Sequence, residues 1–564
     1  MNADFPVALI LVLGGALVPL FRGGMRIAYM LLLPIVVFVW LMALPHGEFG
    51  QIQLLGQTLV LMRVDRLSLL FGYVFLIASL LNVIYALHVK DTVQHVASLV
   101  YAGSAIGAVF AGDLMTLFVY WELTAVSSVV LVWARRTERA FRAGMRYLLV
   151  QLLSGMFLLV GGLQHWQATG TLEFNQIGLS SAGGTAILIA FGIKCAFPLL
   201  HNWLQDAYPE ATPTGTVMLS AFTTKLGIYA LARAFPGTEM LIWVGTVMAV
   251  FPIFYAVIEN DLRRVLAYST NNQLGFMVVG IGIGSELAIN GAVAHAFADV
   301  LFKTLLFMSM GAVLLRTGTV KGSELGGLYK SMPWTTGFCM VGAASISAFP
   351  LFSGFVTKSM IMAAAAEEGL LVTWLALLFA SAGVFHHAGI KIPYFAFFAH
   401  DSGIRCEEAP RNMLLAMAVT AALCIGVGVF PGALYGILPY AVVYEPYTAS
   451  HVVAQLQLLL FSALAFSVLV RTGIYPPELR SVNLDSDWFY RVVARAAVSF
   501  GGRLIGGIQR AGGAAFNAGI QRVVAFTLRE TQPQGLLVRT WATGSMALWV
   551  MVMLLAYLVL YYVR

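Results

Sequence analysis

Charge is scarce in this sequence. Asp, Glu, Lys and Arg supply 10% of its 564 residues, 60% of the residues are hydrophobic, and the mean hydropathy is +0.85. Soluble domains carry about 25% charged residues, so a water-exposed globule is excluded and a polytopic membrane chain is indicated. Cysteine is scarce too. Cys195, Cys339, Cys406 and Cys424 are far apart, form no CxxC pair, and three of them lie in apolar runs, which argues against a metal site, a cluster or a disulfide framework. The net charge of +7 resides mostly in short loops between apolar runs, where basic residues orient helices, and no basic, aromatic-interleaved groove for nucleic acid is visible. HExxH, GxSxG and P-loop motifs are missing. Gly280, Gly282 and Gly284 give Gly-x-Gly-x-Gly, but Ser285 replaces the next required glycine within an apolar run, so neither a catalytic site nor a redox cofactor is expected. The opening Met-Asn-Ala-Asp-Phe-Pro has no basic region, and the first apolar run ends in Phe-Arg-Gly-Gly without a small-residue cleavage site. A retained first helix is expected.

What the chain has instead is apolar runs of spanning length, about 16 of them. They cover Phe5 to Phe21, Ile27 to Leu44, Leu67 to His88, His95 to Gly112, Leu114 to Trp133, Gly144 to Leu163, Gly183 to Leu200, Thr216 to Ala234, Met240 to Ile258, Ala267 to Gly284 and Leu287 to Leu315. An interrupted run from Trp334 to Ala366 follows, then Leu371 to Phe398, Met413 to Phe430, Val452 to Val470 and Trp541 to Val563. The fold class expected is an all-α polytopic membrane protein. If the N-terminus faces out, Arg22, Arg26, Lys90, Arg135, Arg136, Arg139, Arg142, Arg263, Arg264, Lys321, Lys330, Arg405 and Arg411 fall inside. The outside keeps chiefly Arg63, Arg66 and Arg233, an asymmetry that marks the inside as cytoplasmic and implies a bacterial inner membrane location.

Ala-Phe-Pro-Leu occurs at Ala196 to Leu199 and again at Ala348 to Leu351. Carried through the neighbouring runs, the shift of 152 lays Trp121-Glu122-Leu123 on Gln273-Leu274-Gly275 and Gln151 against Lys303. Two five-helix repeats follow, and an odd number of helices per repeat makes the second copy inverted. Proline-interrupted helices in such repeats are tolerated where broken backbone lines a cavity. The organisation expected is N-terminal helices over 1–94, a first repeat over 95–235, a second over 239–398 and further core helices over 413–470. A cytoplasmic interfacial segment over 485–539 and a last span over 541–563 complete it. In the interfacial segment Arg491, Arg495, Arg503 and Arg510 fall within about 120° of one helical face, with weak points at its Gly-Gly pairs.

Ionisable side chains inside apolar runs are costly and mark functional paths by default. Glu122 lies near the middle of its run, with Lys194 as its natural partner; a carboxylate neutralised by burial is the structural alternative. Lys194 sits between a glycine and Pro198 in a run suited to interruption, where a lysine can also snorkel. Lys225 is mid-run. His295, Asp299 and Lys303 share one helical face within about 80°; either Asp299 and Lys303 form an i, i+4 ion pair, or the row relays protons with His295 exchanging near neutral pH. Lys358 follows the second interruption. His201, Asp206, Tyr208 and Glu210 form either an ion mouth or a set of helix caps, and His387 and Lys391, with His386 beside them, are accessory candidates.

Taken together, Glu122, Lys194, Lys225, the His295 to Lys303 row and Lys358 resemble the antiporter-like subunits shared by respiratory complex I, membrane-bound hydrogenases and Mrp-type multisubunit cation/proton antiporters. Within that superfamily, His-Asn-Trp-Leu-Gln-Asp-Ala-Tyr-Pro-Glu-Ala-Thr-Pro-Thr-Gly and Leu-Ser-Ala-Phe-Thr-Thr-Lys-Leu-Gly-Ile-Tyr-Ala-Leu-Ala-Arg look most like the D-type member of the Mrp antiporters. The resemblance covers roughly residues 60 to 440. It implies two linked half-channels, with Glu122 paired to Lys194, Lys225 connecting and Lys358 as the terminal relay. It implies other membrane subunits as partners, protons and Na+ as the transported ions, a lipid environment and no nucleic acid. The function implied is monovalent-cation/proton antiport, with proton pumping in a redox-driven complex or proton coupling in an inorganic-carbon uptake complex as alternatives. Gln205 stands where the superfamily usually has proline, Tyr208 where complex I relatives usually have histidine, and Asp299 where some relatives carry a second histidine.

Overall fold

A computed structural model describes residues 4–563 apart from 55, 477, 480–482, 533–534 and 536–540. It divides into two units, Met1–Asn483 and Leu484–Arg564. A backbone in hydrocarbon must satisfy its own polar groups, and helices do so segment by segment. The first unit is accordingly helical: α1 Val7–Leu17, α2 Gly23–Ala43, α3 Arg66–Tyr85, α4 Thr92–Phe110, α5 Leu114–Trp133, α6 Glu138–Thr169, α7 Ala182–Lys194, α8 Asn202–Ala207 and α9 Pro213–Ala234. It continues with α10 Met240–Ile258, α11 Leu262–Ile283, α12 Glu286–Thr317, α13 Pro333–Ile346, α14 Ser353–Glu367, α15 Leu371–Phe398, α16 Arg411–Val429 and α17 Ala449–Thr472. Eleven helices among the described residues are long and apolar enough to cross a membrane, while α1 and α7 are shorter. The chain is a multi-pass integral membrane protein.

One element departs from the all-α expectation. β1 Gly47–Leu54 and β2 Gln57–Val64 pair antiparallel around a tight turn in which Gly56 adopts φ +76°. The segment alternates polar and apolar residues, as in Gln51-Ile52-Gln53-Leu54, the period of a strand rather than a helix.

The two interrupted runs break in the same way. Ala196 and Leu199 take φ of +58° and +70°, and Ala348 and Leu351 take +57° and +75°. Phe197 N–H donates to the Gly192 carbonyl at 2.9 Å, and Phe349 N–H to the Ala344 carbonyl at 3.0 Å. Left-handed backbone is unfavourable for alanine and leucine, so four such residues at a spacing of 152 are a shared device and not a coincidence of sequence. The shift is smaller before the breaks. Asp113 caps α5 and bridges Glu173, and Asp261 caps α11 and bridges Lys321, 148 positions on; α6 and α12 are each 32 residues long. The extra residues of the second copy lie in the loop after α12. In this register Trp121-Glu122-Leu123 falls opposite Ser269-Thr270-Asn271, and Gln151 opposite Asp299, which corrects the uniform 152.

The core sits between the copies, where α12 packs against α9, α11 and α14. α9 and α12 are buried over almost their whole length. In the second unit, α18 Ala494–Glu530 runs 37 residues without interruption, followed by α19 Thr543–Tyr562. The Gly-Gly pairs do not break α18, because glycine lowers helix propensity by about 1 kcal/mol yet keeps the N–H that proline would remove.

Candidate functional site

α7 ends at Lys194 because the chain turns left-handed two residues later. This places the side chain, 1% exposed, beside α5. Lys194 Nζ donates to Thr124 Oγ1 at 2.7 Å and to the Trp121 carbonyl at 3.3 Å, and lies 4.2 Å from the centroid of the Trp121 ring. Those contacts hold the ammonium near Glu122, the partner expected from sequence. The Glu122 carboxylate, within Coulombic range of Lys194, lies over Gly155, where an added Cβ would collide with Oε1. Glu122 and Lys194 are therefore neighbours, with Thr124 holding the ammonium.

The α7 terminus packs on α9: Cys195 Sγ donates to the Thr224 carbonyl at 3.9 Å, and a Cβ at Gly227 would meet the Cys195 backbone at 3.0 Å. One residue along, Lys225 Nζ donates to the Ser220 carbonyl at 2.9 Å and stands 2.6 Å from Asp299 Oδ2. Both side chains are fully buried. The contact lacks hydrogen-bond angles, and neither Asp299 oxygen has a hydrogen-bond partner among the described residues. Asp299 thus pairs across the repeats with Lys225, and not within its own helix. Lys303 Nζ instead donates to the Leu266 carbonyl at 3.4 Å. Helix-to-helix packing of α12 on α9 decides the pairing over the i, i+4 geometry that the sequence offers.

His295 ends a string of polar groups fixed at a backbone carbonyl. Asn272 Nδ2 donates to the Ala249 carbonyl, Gln273 Nε2 donates to Asn272 Oδ1 at 2.6 Å, and Gln273 Oε1 lies 3.0 Å from His295 Nε2. A carbonyl only accepts, so each amide is oriented in turn and His295 Nε2 carries a hydrogen. The lone pair of the neutral ring is then on Nδ1, which lies 3.0 Å from Thr357 Oγ1. Thr357 has a second acceptor in the Ser353 carbonyl at 3.0 Å. With neutral imidazole its hydroxyl donates to Nδ1; with imidazolium it turns to Ser353 and accepts. The next residue, Lys358, 2% exposed, donates Nζ to the Ile346 carbonyl at 3.1 Å and lies 5.0 Å from the Phe276 ring. The second break frees that carbonyl.

The accessory candidates separate. Arg146 holds Asp206 through two bonds of 2.6 and 2.9 Å, and Arg139 and Arg135 hold Glu210 at 2.8 and 3.4 Å; these carboxylates are salt-bridged anchors of the loop. His201 is buried edge-on to Phe251, and Tyr208 Oη donates to the Leu219 carbonyl at 2.6 Å. Lys391 donates to the carbonyls of Ala256, Val257 and Glu259 at 3.2, 2.7 and 2.7 Å and pairs with Glu478 at 3.0 Å. It caps the end of α10. His387 is fully buried, and α15 widens into a π turn at 385–390 there.

Two parts of the site escaped the sequence reading. Ser128 Oγ, Tyr147 Oη, Thr223 Oγ1 and Tyr101 Oη form a buried hydroxyl string two residues from Lys225. Their residue types are commonplace in apolar helices, so no pattern singles them out. Arg263, read from sequence as an inside-loop charge, is fully buried and donates to the carbonyls of Tyr208, Pro209, Ala211 and Thr212 and to Thr216 Oγ1.

Residues 111–385 match the family described as NADH:quinone oxidoreductase/Mrp antiporter, TM. The chain is 31% identical over 292 residues to the D component of the Na(+)/H(+) antiporter of Alkalihalophilus pseudofirmus, covering 48% of this chain and 59% of that one. It is 26% identical over 440 residues to the hydrogenase-4 component B of Escherichia coli, covering 68% and 63%. The chain thus spans less than two thirds of the length of either relative. A chain in the structure of the Mrp complex from Dietzia superposes with a TM-score of 0.66 at 20% identity over 82% of this chain and 95% of that one, a likeness of fold. With its paired broken helices and the match across both of them, this chain is similar to the antiporter-like membrane subunits of the superfamily that joins NADH:quinone oxidoreductases and Mrp antiporters.

Proposed function

We propose that this chain moves protons along a buried path from Glu122 and Lys194, through Lys225 and Asp299, to Lys303, His295 and Lys358, as one subunit of a larger membrane complex in a bacterial cytoplasmic membrane. The carrying observation is the fully buried Lys225–Asp299 pair at 2.6 Å. It joins the first repeat to the second. A buried ion pair is weak support for stability, because desolvation offsets its Coulomb energy, but it is a sound switch: a proton delivered to Asp299 frees the Lys225 ammonium, and a proton lost from Lys225 frees the carboxylate. Lys194 moving toward Glu122 starts the same exchange one helix earlier.

The finer reading is monovalent-cation/proton antiport with Na+ as the cation, supported by the likeness to the D component of a Na(+)/H(+) antiporter. A second reading, proton pumping in a redox-driven complex, is favoured by the longer stretch aligned with the hydrogenase component, 68% of this chain against 48%. Sodium added to respiring everted vesicles that hold the whole complex separates them. Antiport predicts collapse of the pH gradient, whereas pumping without any sodium or lithium response sinks the antiport reading. Glu122→Ala and Lys194→Ala should abolish transport while the complex still assembles; full activity in either would refute the path. Glu210→Ala should be mild, since partly exposed ion pairs contribute roughly 0 to 1 kcal/mol.

A further inference from the structure

We infer that His451 is the outermost proton-exchange group of the second half-channel, receiving protons from Lys358 across a water-accessible cavity; the inference rests on the proton path proposed above. A cavity of about 560 Å³ lies at the second broken helix, bounded by Ala348, α14, α15 and the start of α17. Its polar lining consists of Lys358, Ser359, Tyr444, His451, Gln455 and Gln457. Lys358 is otherwise sealed in the core, so this cavity is where its side chain meets open space. The break shapes the cavity. Gln455 Nε2 donates to the Ser347 carbonyl at 3.2 Å and Lys358 to the Ile346 carbonyl at 3.1 Å, so both carbonyls released by the interrupted helix hold polar side chains at the cavity wall.

His451 is built to take a proton on one chosen atom. Nδ1 lies 2.7 Å from the Pro446 carbonyl. A carbonyl cannot donate, so Nδ1 carries the hydrogen and the Nε2 lone pair is the basic site. The ring stacks on Phe355 with centroids 4.3 Å apart and 14° between planes, and Thr448 Oγ1 accepts the His451 backbone N–H at 3.3 Å. Orientation is therefore set from both sides. The residue sits in the first turn of α17, at the opposite end of the preceding α16 from Arg411. The charged or titratable groups lining the cavity with it are Lys358 from α14 and Tyr444 from the loop, Tyr447 packs on the same Phe355 ring, and α15 contributes Trp374 and Leu378. In the transfer, Lys358 Nζ–H gives its proton to a water, which passes one to His451 Nε2; the neutral amine is then ready for the next proton from the His295 side. The imidazolium releases its Nε2 proton to bulk water, and the Nδ1–H bond to Pro446 persists throughout.

The experiment uses everted membrane vesicles carrying the intact complex, with the rate of pH-gradient formation or exchange followed between about pH 6 and 9. His451→Gln keeps a polar amide of similar reach, though not the ring, and cannot take a proton; its rate should fall by at least about tenfold and its pH profile should change shape. Added imidazole should restore transport in His451→Ala. A His451→Gln complex with an unchanged rate and pH profile overturns the inference, as it would if lipid or a partner side chain occupied the cavity. Lys358→Ala in the same vesicles separates the failures. Full transport there refutes the proton path itself, whereas lost transport beside a fully active His451→Gln refutes only the role of His451.

Discussion

Lys225 and Asp299 serve either as a fastener between the repeats or as a relay, and mutation can tell these apart. Removing one partner leaves an uncompensated buried charge and costs about 3–5 kcal/mol, so Lys225→Ala and Asp299→Ala should each lose both transport and assembled complex. Replacing both at once, as Lys225→Met with Asp299→Leu, removes the charges together. The double variant should recover assembly, measured as intact complex on native gels, while transport stays lost. Recovery of transport would make the pair a mere fastener. The string behind His295 gives a second test: Gln273→Leu releases Nε2, so both ring nitrogens can exchange, and the pH profile of transport should change while assembly holds. An unchanged profile would refute the single-tautomer argument. Each of these ionisable residues was legible in the sequence from its cost in hydrocarbon. Their partners were not. Asp299 has Lys303 one turn away in sequence, but its ion-pair partner is 74 positions off on α9, a relation that only packing creates.

At the scale of the element, the breaks were legible and their geometry was not. Ala-Phe-Pro-Leu announces an interruption through proline, yet the left-handed alanine before it carries no sequence mark. The β-branched side chain of valine is poorly tolerated at positive φ, and strain of this kind costs of order 1–3 kcal/mol per residue. Ala196→Val and Ala348→Val should therefore lower the melting temperature of the solubilised complex and the amount assembled, while Ala196→Gly, whose backbone accepts φ of +58°, should be tolerated. Equal damage from glycine and valine would show that the left-handed turn is not what fails. Gly155 is the matching constraint on α6. Gly155→Ala drives a methyl into the Glu122 carboxylate, so transport should fall with assembly retained, as for Glu122→Ala itself. The hairpin at 47–64 shows a different gap: its alternating pattern was present, but it lies between two spanning-length apolar runs and received no element of its own. Arg263 likewise looked like a topological charge because sequence cannot distinguish an arginine in a loop from one that threads four carbonyls.

For the whole molecule, the two repeats can be joined in series or work side by side, and the buried pair between α9 and α12 makes the series arrangement the one to test. In series, each proton passes Lys194, the Lys225–Asp299 joint and Lys358 in turn, so blocking any one stops all flow. Lys194→Ala in the first repeat and Lys358→Ala in the second should then each abolish transport, and the double variant can do no further harm. In parallel, each repeat would carry its own stream; each single variant would keep roughly half the rate and the double variant would lose the remainder, the additive pattern of independent sites. The rates are read from the pH gradient in vesicles with equal amounts of assembled complex. Two complete single-variant losses support one continuous path, two half-losses that sum to a whole refute it, and an Asp299→Asn variant sharpens the result. It keeps the shape of the joint but cannot accept a proton, and it leaves Lys225 without its buried counter-charge, so less complex should assemble; under the series arrangement the rate per assembled complex should be zero while Glu122, Lys194 and Lys358 all remain in place.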